Sequence, residues 1–238
     1  MLSDSKVQEL TNFLLDLNLS SDNLALVNQG LTHPSYINEN NLNVSDSYER
    51  LEFLGDAVLK LIASRYLYNK FPDYDEGKLT TIRSILVSDM YLEKFASEIN
   101  LIKYLVLGTN ESKAQDKIPS SIQACAFEGL LGALYLSGDF EKIYLFLENL
   151  LEPVIADIDK NSSKYNAKAL LQEYTQGLNK DLPEYVLKKE SGPEHAKIFE
   201  TDVFYRGEHL GSGSGKTKKE AQQSAAIAAC ERLGLFNE

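Results

Sequence analysis

Cysteine, histidine, positive charge and long apolar runs are all scarce in this chain of 238 residues. Two cysteines, Cys125 and Cys230, lie far apart on predicted helices. They supply neither a disulfide framework nor the paired spacing of a zinc finger, and a reducing cytoplasm is the compartment they suggest. His33 is the only histidine of the first half, so no Ser/His/Asp arrangement is in sight. No run of about eighteen apolar residues is present to span a membrane. The opening Met1-Leu2-Ser3-Asp4-Ser5-Lys6 lacks the basic and apolar regions of a secretory leader, and the protein is expected to stay where it is made.

Positive charge is the most telling shortage. A formal net charge of −11 argues against a nucleic-acid partner, but the deficit is uneven. Residues 1–164 carry 14 basic against 24 acidic side chains, while residues 165–238 carry 10 against 11. The acidic front suits a cation, and the near-neutral tail clusters its lysines.

Apolar residues recur at helical spacing through the front half, in blocks 7–17, 47–70 (stopped by Pro72), 78–99, 120–136 and 140–158, the last interrupted by Pro153. No strand signal appears there. The polar stretch 159–164 reads as a linker. Beyond it the pattern is helix at 166–176, strands at 185–189 and 198–205, a possible third strand at 208–211, a flexible Gly-Ser loop at 211–215 and an alanine-rich helix at 216–233. The expected fold is an all-α domain over 1–160 followed by a small α+β domain, α-β-β-β-α, over 165–238.

Within block 47–70, Glu49, Glu52 and Asp56 fall inside roughly a 60° arc of a helix. Leu51, Leu54, Val58, Leu61 and Ile62 take the opposite side. Like charges at this spacing mildly destabilise a helix. The arc is either a solvated face or a site for a counter-charge, arginine and Mg²⁺ being equally open on this evidence. A second helix, Ala124 to Ala133, is apolar nearly all round except for Glu128. A carboxylate inside a buried helix has to be paired, neutralised or metal-bound. Gly129 and Gly132 beside it permit close helix packing.

The run Glu49-Arg50-Leu51-Glu52-Phe53-Leu54-Gly55-Asp56 resembles the signature motif of the ribonuclease III family. Three further segments resemble that family in the same order: 31–36, 75–84 with Asp75-Glu76-Gly77-Lys78, and 127–133 with Phe127-Glu128-Gly129. The resemblance covers essentially the whole chain. It implies a metal centre of Glu52, Asp56 and Glu128, with Asp56 and Glu128 least dispensable to catalysis. Glu49 and Glu76 would stand farther out in the cleft, and Phe53 would pack across a twofold homodimer interface. It also implies Mg²⁺, with Mn²⁺ as an alternative, and water attack on double-stranded RNA. The products would bear 5′-phosphates and two-nucleotide 3′ overhangs, in ribosomal and messenger RNA processing. One position departs from the family. Cys125 stands where the family has a metal-binding aspartate, three residues before Glu128. A thiol of ordinary pKa is mostly neutral near pH 7, and sulfur is a poor magnesium ligand. The competing expectation is therefore a duplex-binding regulator with a weakened or silent centre.

The tail resembles a double-stranded RNA-binding domain in three places: 170–176, 192–195 and 215–221. The resemblance points to Gln172, Gln176 and His195 in the minor grooves and to Lys216, Lys218 and Lys219 on phosphate. The lysines are expected at a helix start, where free N–H groups favour anions. Gly213 and Gly215 are expected to let the chain approach the RNA closely.

Overall fold

The computed structural model describes residues 2–112, 118–193 and 197–236. It contains two compact units, Met1–Asp157 and Ile158–Glu238. The first is helical: α1 (Asp4–Asp16), α2 (Leu24–Gly30), α3 (Pro34–Glu39), α4 (Glu49–Lys70), α5 (Glu76–Leu86), α6 (Asp89–Glu98), α7 (Thr109–Ser112), α8 (Ser120–Ser137) and the greater part of α9 (Phe140–Tyr165), whose residues from Ile158 on fall in the second unit. Among the described residues no helix is long and apolar enough to cross a membrane.

The core is organised around α8, which buries Ala124, Ala126, Phe127 and every residue from Gly129 to Leu134. Helices α2, α4 and α6 pack against it. Glycine makes the closest crossings possible. A Cβ on Gly55 of α4 would stand 1.8 Å from the Glu128 carbonyl oxygen, and one on Gly132 would stand 2.1 Å from that of Leu51. Gly30 and Gly129 do the same for α2, with a Cβ on Gly30 2.5 Å from the Gly129 oxygen. The backbones of α4 and α8 therefore touch where the acidic residues of both helices lie.

Three expectations for this half need correction. The block 78–99 is two helices: Ser88 is extended, its hydroxyl donates to the Ile85 carbonyl (2.7 Å), and Asp89 starts α6. Leu61, expected inside, is 57 % exposed. It sits at the edge of the buried arc of α4, where the helix turns from core to surface. The stretch 159–164 is not a linker but the end of α9, which also runs unbroken through Pro153. Neither glycine nor proline interrupts 159–164, Ser162 bonds back to the Asp159 carbonyl, and Leu150 and Leu151 before Pro153 and Ile155 and Ile158 after it are buried along the same helix. The helix is thus held by packing on both sides of the proline.

The second unit is α10 (Ala167–Asn179), the antiparallel sheet β1 (Glu184–Ser191), β2 (Ile198–Tyr205) and β3 (Glu208–Gly215) in the order β1-β2-β3, and α11 (Lys218–Arg232). Arg206 and Gly207 both have positive φ, as a two-residue hairpin turn requires. The core joins Ala167 and Leu171 of α10, Val203 and Leu210 of the sheet, and Ala225, Ala226, Ala229 and Cys230 of α11. The Gly-Ser tract 211–215 is strand, not loop. Period-two alternation turns Gly211, Gly213 and Gly215 toward α11, where a Cβ on Gly213 would stand 2.1 Å from Ala225 N. The glycines therefore serve the helix contact instead of an approach to RNA.

Candidate functional site

The start of α4 is fixed by its backbone: Tyr48 N donates to the Thr32 carbonyl (2.9 Å) and Glu52 N to that of Tyr48 (2.8 Å). Glu49, in the first turn, accepts from the Ser47 hydroxyl (3.2 Å), a position the helix dipole favours for an acid. One turn on, Glu52 is partly buried against α8, within hydrogen-bonding reach of the Cys125 thiol. Asp56 follows by another turn and pairs with Lys60 (2.8 Å).

Glu128 of α8 meets this face. It is half-buried, not enclosed. Its carboxyl is pushed up to about 7, first by desolvation, then by the charges of Asp56 and Glu52; Lys60 offsets part of this and Asp89 adds to it. Cys125 is pushed up to about 12 by burial, by its bond to Glu52, and by the charges of Glu52, Glu128 and Asp89. Near pH 7 it is a neutral thiol. Glu52, Asp56, Glu128 and Cys125 thus come together. Glu49 stands one turn away, and Glu76 stands apart: exposed at the start of α5, it accepts from Thr80 (2.9 Å) and is not among the charges acting on Glu128.

Asp89 is the member that sequence reasoning missed. The signal was the pair Ser88-Asp89, a helix-start pattern, hidden when 78–99 is taken as one helix. As the first residue of α6, which packs on α8, Asp89 brings a further negative charge to Cys125 and Glu128.

Among the described residues no three acidic, thiol or imidazole groups are already gathered at chelating distance. The donor chemistry nevertheless fits a hard divalent cation. Carboxylates from two helices act on one another here, and among the described residues Lys60 offsets part of the repulsion on Glu128. Glu52, Asp56 and Glu128 are the residues that would hold it. On the neighbouring face of α4, Phe53 (81 % exposed), Leu61 and Tyr68 (73 % exposed) form an apolar stripe.

In the second unit, Gln172 and Gln176 are exposed one turn apart on α10. Lys218 and Lys219 occupy the exposed first turn of α11, whose N-cap Thr217 accepts from Glu220 N (3.1 Å). Lys216 precedes the helix instead of beginning it, and its backbone N–H is spent on the Glu220 carboxylate (2.8 Å). His195 lies outside the described residues.

Two family models match the chain: "Ribonuclease-III-like" over residues 23–154 and "Double-stranded RNA binding motif" over 167–233. Ribonuclease 3 of Listeria welshimeri is 44 % identical over 209 residues, 87 % of this chain and 90 % of that protein. Ribonuclease 3 of Treponema denticola is 41 % identical over 98 % of this chain and 94 % of its own length. A solved nuclease domain of ribonuclease III from Campylobacter jejuni, described for structural flexibility in a region involved in dimer formation, superposes with a TM-score of 0.53. It is 33 % identical and covers 59 % of this chain and 94 % of that domain.

Proposed function

Since the chain belongs to the ribonuclease III family of endoribonucleases, we propose that it hydrolyses double-stranded RNA in a cation-dependent reaction centred on Glu52, Asp56 and Glu128. The observation that carries this reading is the meeting of three carboxylates from α4 and α8, with Glu128 held near 7 by burial and by its neighbours' charge. Partly exposed groups kept under such repulsion are candidates for function.

When bound, a divalent cation supplies an activated water and charge stabilisation for the leaving oxygen. Glu52 and Asp56 present oxygens from successive turns of α4, and Glu128 presents its own from α8. With its carboxyl pushed up to about 7, Glu128 would have to give up any proton it carries in order to hold a cation. Cation affinity therefore rises with pH up to about 7 and levels off above it. Products with 5′-phosphates and two-nucleotide 3′ overhangs, and a part in ribosomal and messenger RNA maturation in the cytoplasm, belong to the same proposal. So does a homodimer formed through the Phe53 stripe, each protomer cutting one strand. Glu49 and Glu76 are assigned to the outer cleft. Retention of all three central carboxylates, together with the ribonuclease relatives, favours the cutting enzyme over a silent binding protein. Digestion of a long RNA duplex with Mg²⁺ or Mn²⁺ tests the reading. Short duplexes with those ends are expected, and an intact duplex under both ions contradicts it.

Cys125 gives a quantitative expectation. As a neutral thiol it withholds an oxygen ligand, so Cys125→Asp should lower the Mg²⁺ concentration for half-maximal cleavage by about tenfold, the effect of about 1.4 kcal/mol. A Mg²⁺ titration of both proteins on one duplex reads the shift directly. If the midpoint stays put, the thiol is not a deficit.

In the second unit, Gln172 and Gln176 are assigned to the minor groove and Lys218 and Lys219 to phosphates. Lys216 and His195 are proposed as further contacts. Lys218→Ala should weaken binding for every duplex sequence alike and reduce the slope of log K against log salt by about 1. An unchanged slope in binding titrations at several salt concentrations removes Lys218 from the phosphate contacts.

A further inference from the structure

His33 is a titratable group in the acidic unit with no part in the scheme above. It caps α3, and its Nδ1 accepts from Ser35 N (3.0 Å). The Ser35 hydroxyl, which accepts from Gly108 N (2.9 Å), lies 2.7 Å from the same nitrogen and, with Nδ1 already an acceptor, donates to it. A nitrogen accepting twice carries no proton. The ring is therefore neutral, its proton is on Nε2, and Nε2 has no protein acceptor among the described residues.

The backbone fixes what surrounds that ring. His33 N donates to the Val106 carbonyl (2.9 Å) and Val106 N to that of Leu31 (2.9 Å), so residues 106–112 are stitched alongside 31–35. This brings Glu111 of α7 to His33. The bond from Tyr48 N to the Thr32 carbonyl brings Glu49, and the Tyr48 ring meets the imidazole edge-on at 5.7 Å. The charges of both Glu111 and Glu49 act on His33. A neutral donor thus lies within the field of two carboxylates.

That combination selects its ligand. A phosphate would take the N–H but be repelled by both acids. A hydroxyl accepts from Nε2 and donates to a carboxylate at once. Duplex RNA displays one such group at each nucleotide, the ribose 2′-hydroxyl along its shallow minor groove. We propose that His33 Nε2 and the Glu111 carboxylate hold one 2′-hydroxyl of the bound RNA, so that this end of the cleft senses the sugar. The inference rests on the reading of the chain as a nuclease of duplex RNA.

The test is single-turnover cleavage of a duplex and of copies carrying one 2′-deoxy nucleotide at each position in turn. For the natural protein, one position should slow cleavage about tenfold, the loss of about 1.4 kcal/mol. His33→Asn keeps an acceptor for the α3 cap but has no distal donor. It should cut the all-RNA duplex about tenfold more slowly and show no further penalty at that position. His33→Gln, which restores a distal N–H, should recover the penalty. Glu111→Ala should erase it as His33→Asn does, and provides the same comparison if His33→Asn fails to fold. A penalty that persists unchanged in His33→Asn and Glu111→Ala, or its absence at every position, overturns the proposal while leaving the nuclease reading intact. Failure of the natural protein to cut the all-RNA duplex overturns both.

Discussion

Glu128→Gln should abolish cleavage and, in the absence of cations, make the protein more stable. The first effect follows from losing a ligand and a negative charge. A cation contributes several kcal/mol of charge stabilisation, so a fall on the order of a thousandfold is expected. The second follows from linkage. The carboxyl sits at about 7 in the folded protein against an ordinary value of 4.5, so the folded state binds the proton more tightly than the unfolded chain does. Its contribution is therefore most favourable below pH 4.5, and stability is lost as pH rises through about 7. Glutamine has no charge to bury and removes that loss. The metal-free natural protein should melt at a lower temperature at pH 8 than the variant does, by several degrees, with the gap closing near pH 5. Melting curves of both proteins in a chelator decide it. A variant less stable than the natural protein at pH 8 would mean that Glu128 is held by favourable contacts and not against repulsion.

Gly55→Ala should unfold the first unit or leave it barely folded. The added methyl would stand 1.8 Å from a backbone oxygen of α8, and no side-chain rotation can relieve a backbone clash. Either the helices separate, exposing core around Leu51, Val58 and Phe127, or α4 distorts. Overpacking in a tight core costs about 1–3 kcal/mol, and helix separation adds lost burial, which is enough to consume much of a domain's marginal stability. Because the same crossing sets Glu52 and Asp56 against Glu128, whatever folded protein remains should also bind cations poorly. Circular dichroism melts test the first part. A Gly55→Ala protein that melts like the natural one would show that α4 and α8 do not approach so closely.

Sequence periodicity located the long helices because α4 and α8 alternate faces or bury themselves entirely, and both leave a clear pattern. It did not locate the break at Val87–Ser88. Apolar residues continue at helical spacing on both sides, and the stop is a local bond from the Ser88 hydroxyl to Ile85. That omission also concealed Asp89. The end of α9 looks like a linker because 159–164 is polar throughout, although it holds no glycine or proline to stop a helix. The 211–215 tract misled for the opposite reason. Its glycines look flexible in isolation, yet they are small because α11 lies against the strand. The acidic face of α4 was legible as a pattern, and its partner Glu128 as a charge inside an apolar helix. How far burial raises Glu128 and Cys125 depends on which helices meet, and no spacing rule within one helix reveals that.

The most direct measurement is a calorimetric titration of Mn²⁺ into metal-free natural protein and into Glu128→Gln and Asp56→Asn, near pH 7 in two buffers of different ionisation heat. Binding by the natural protein with release of a fraction of a proton, and loss of that binding in both variants, is the expected result. Equal binding by all three proteins, or binding that releases no proton, would contradict a cation centre built on Asp56 and Glu128.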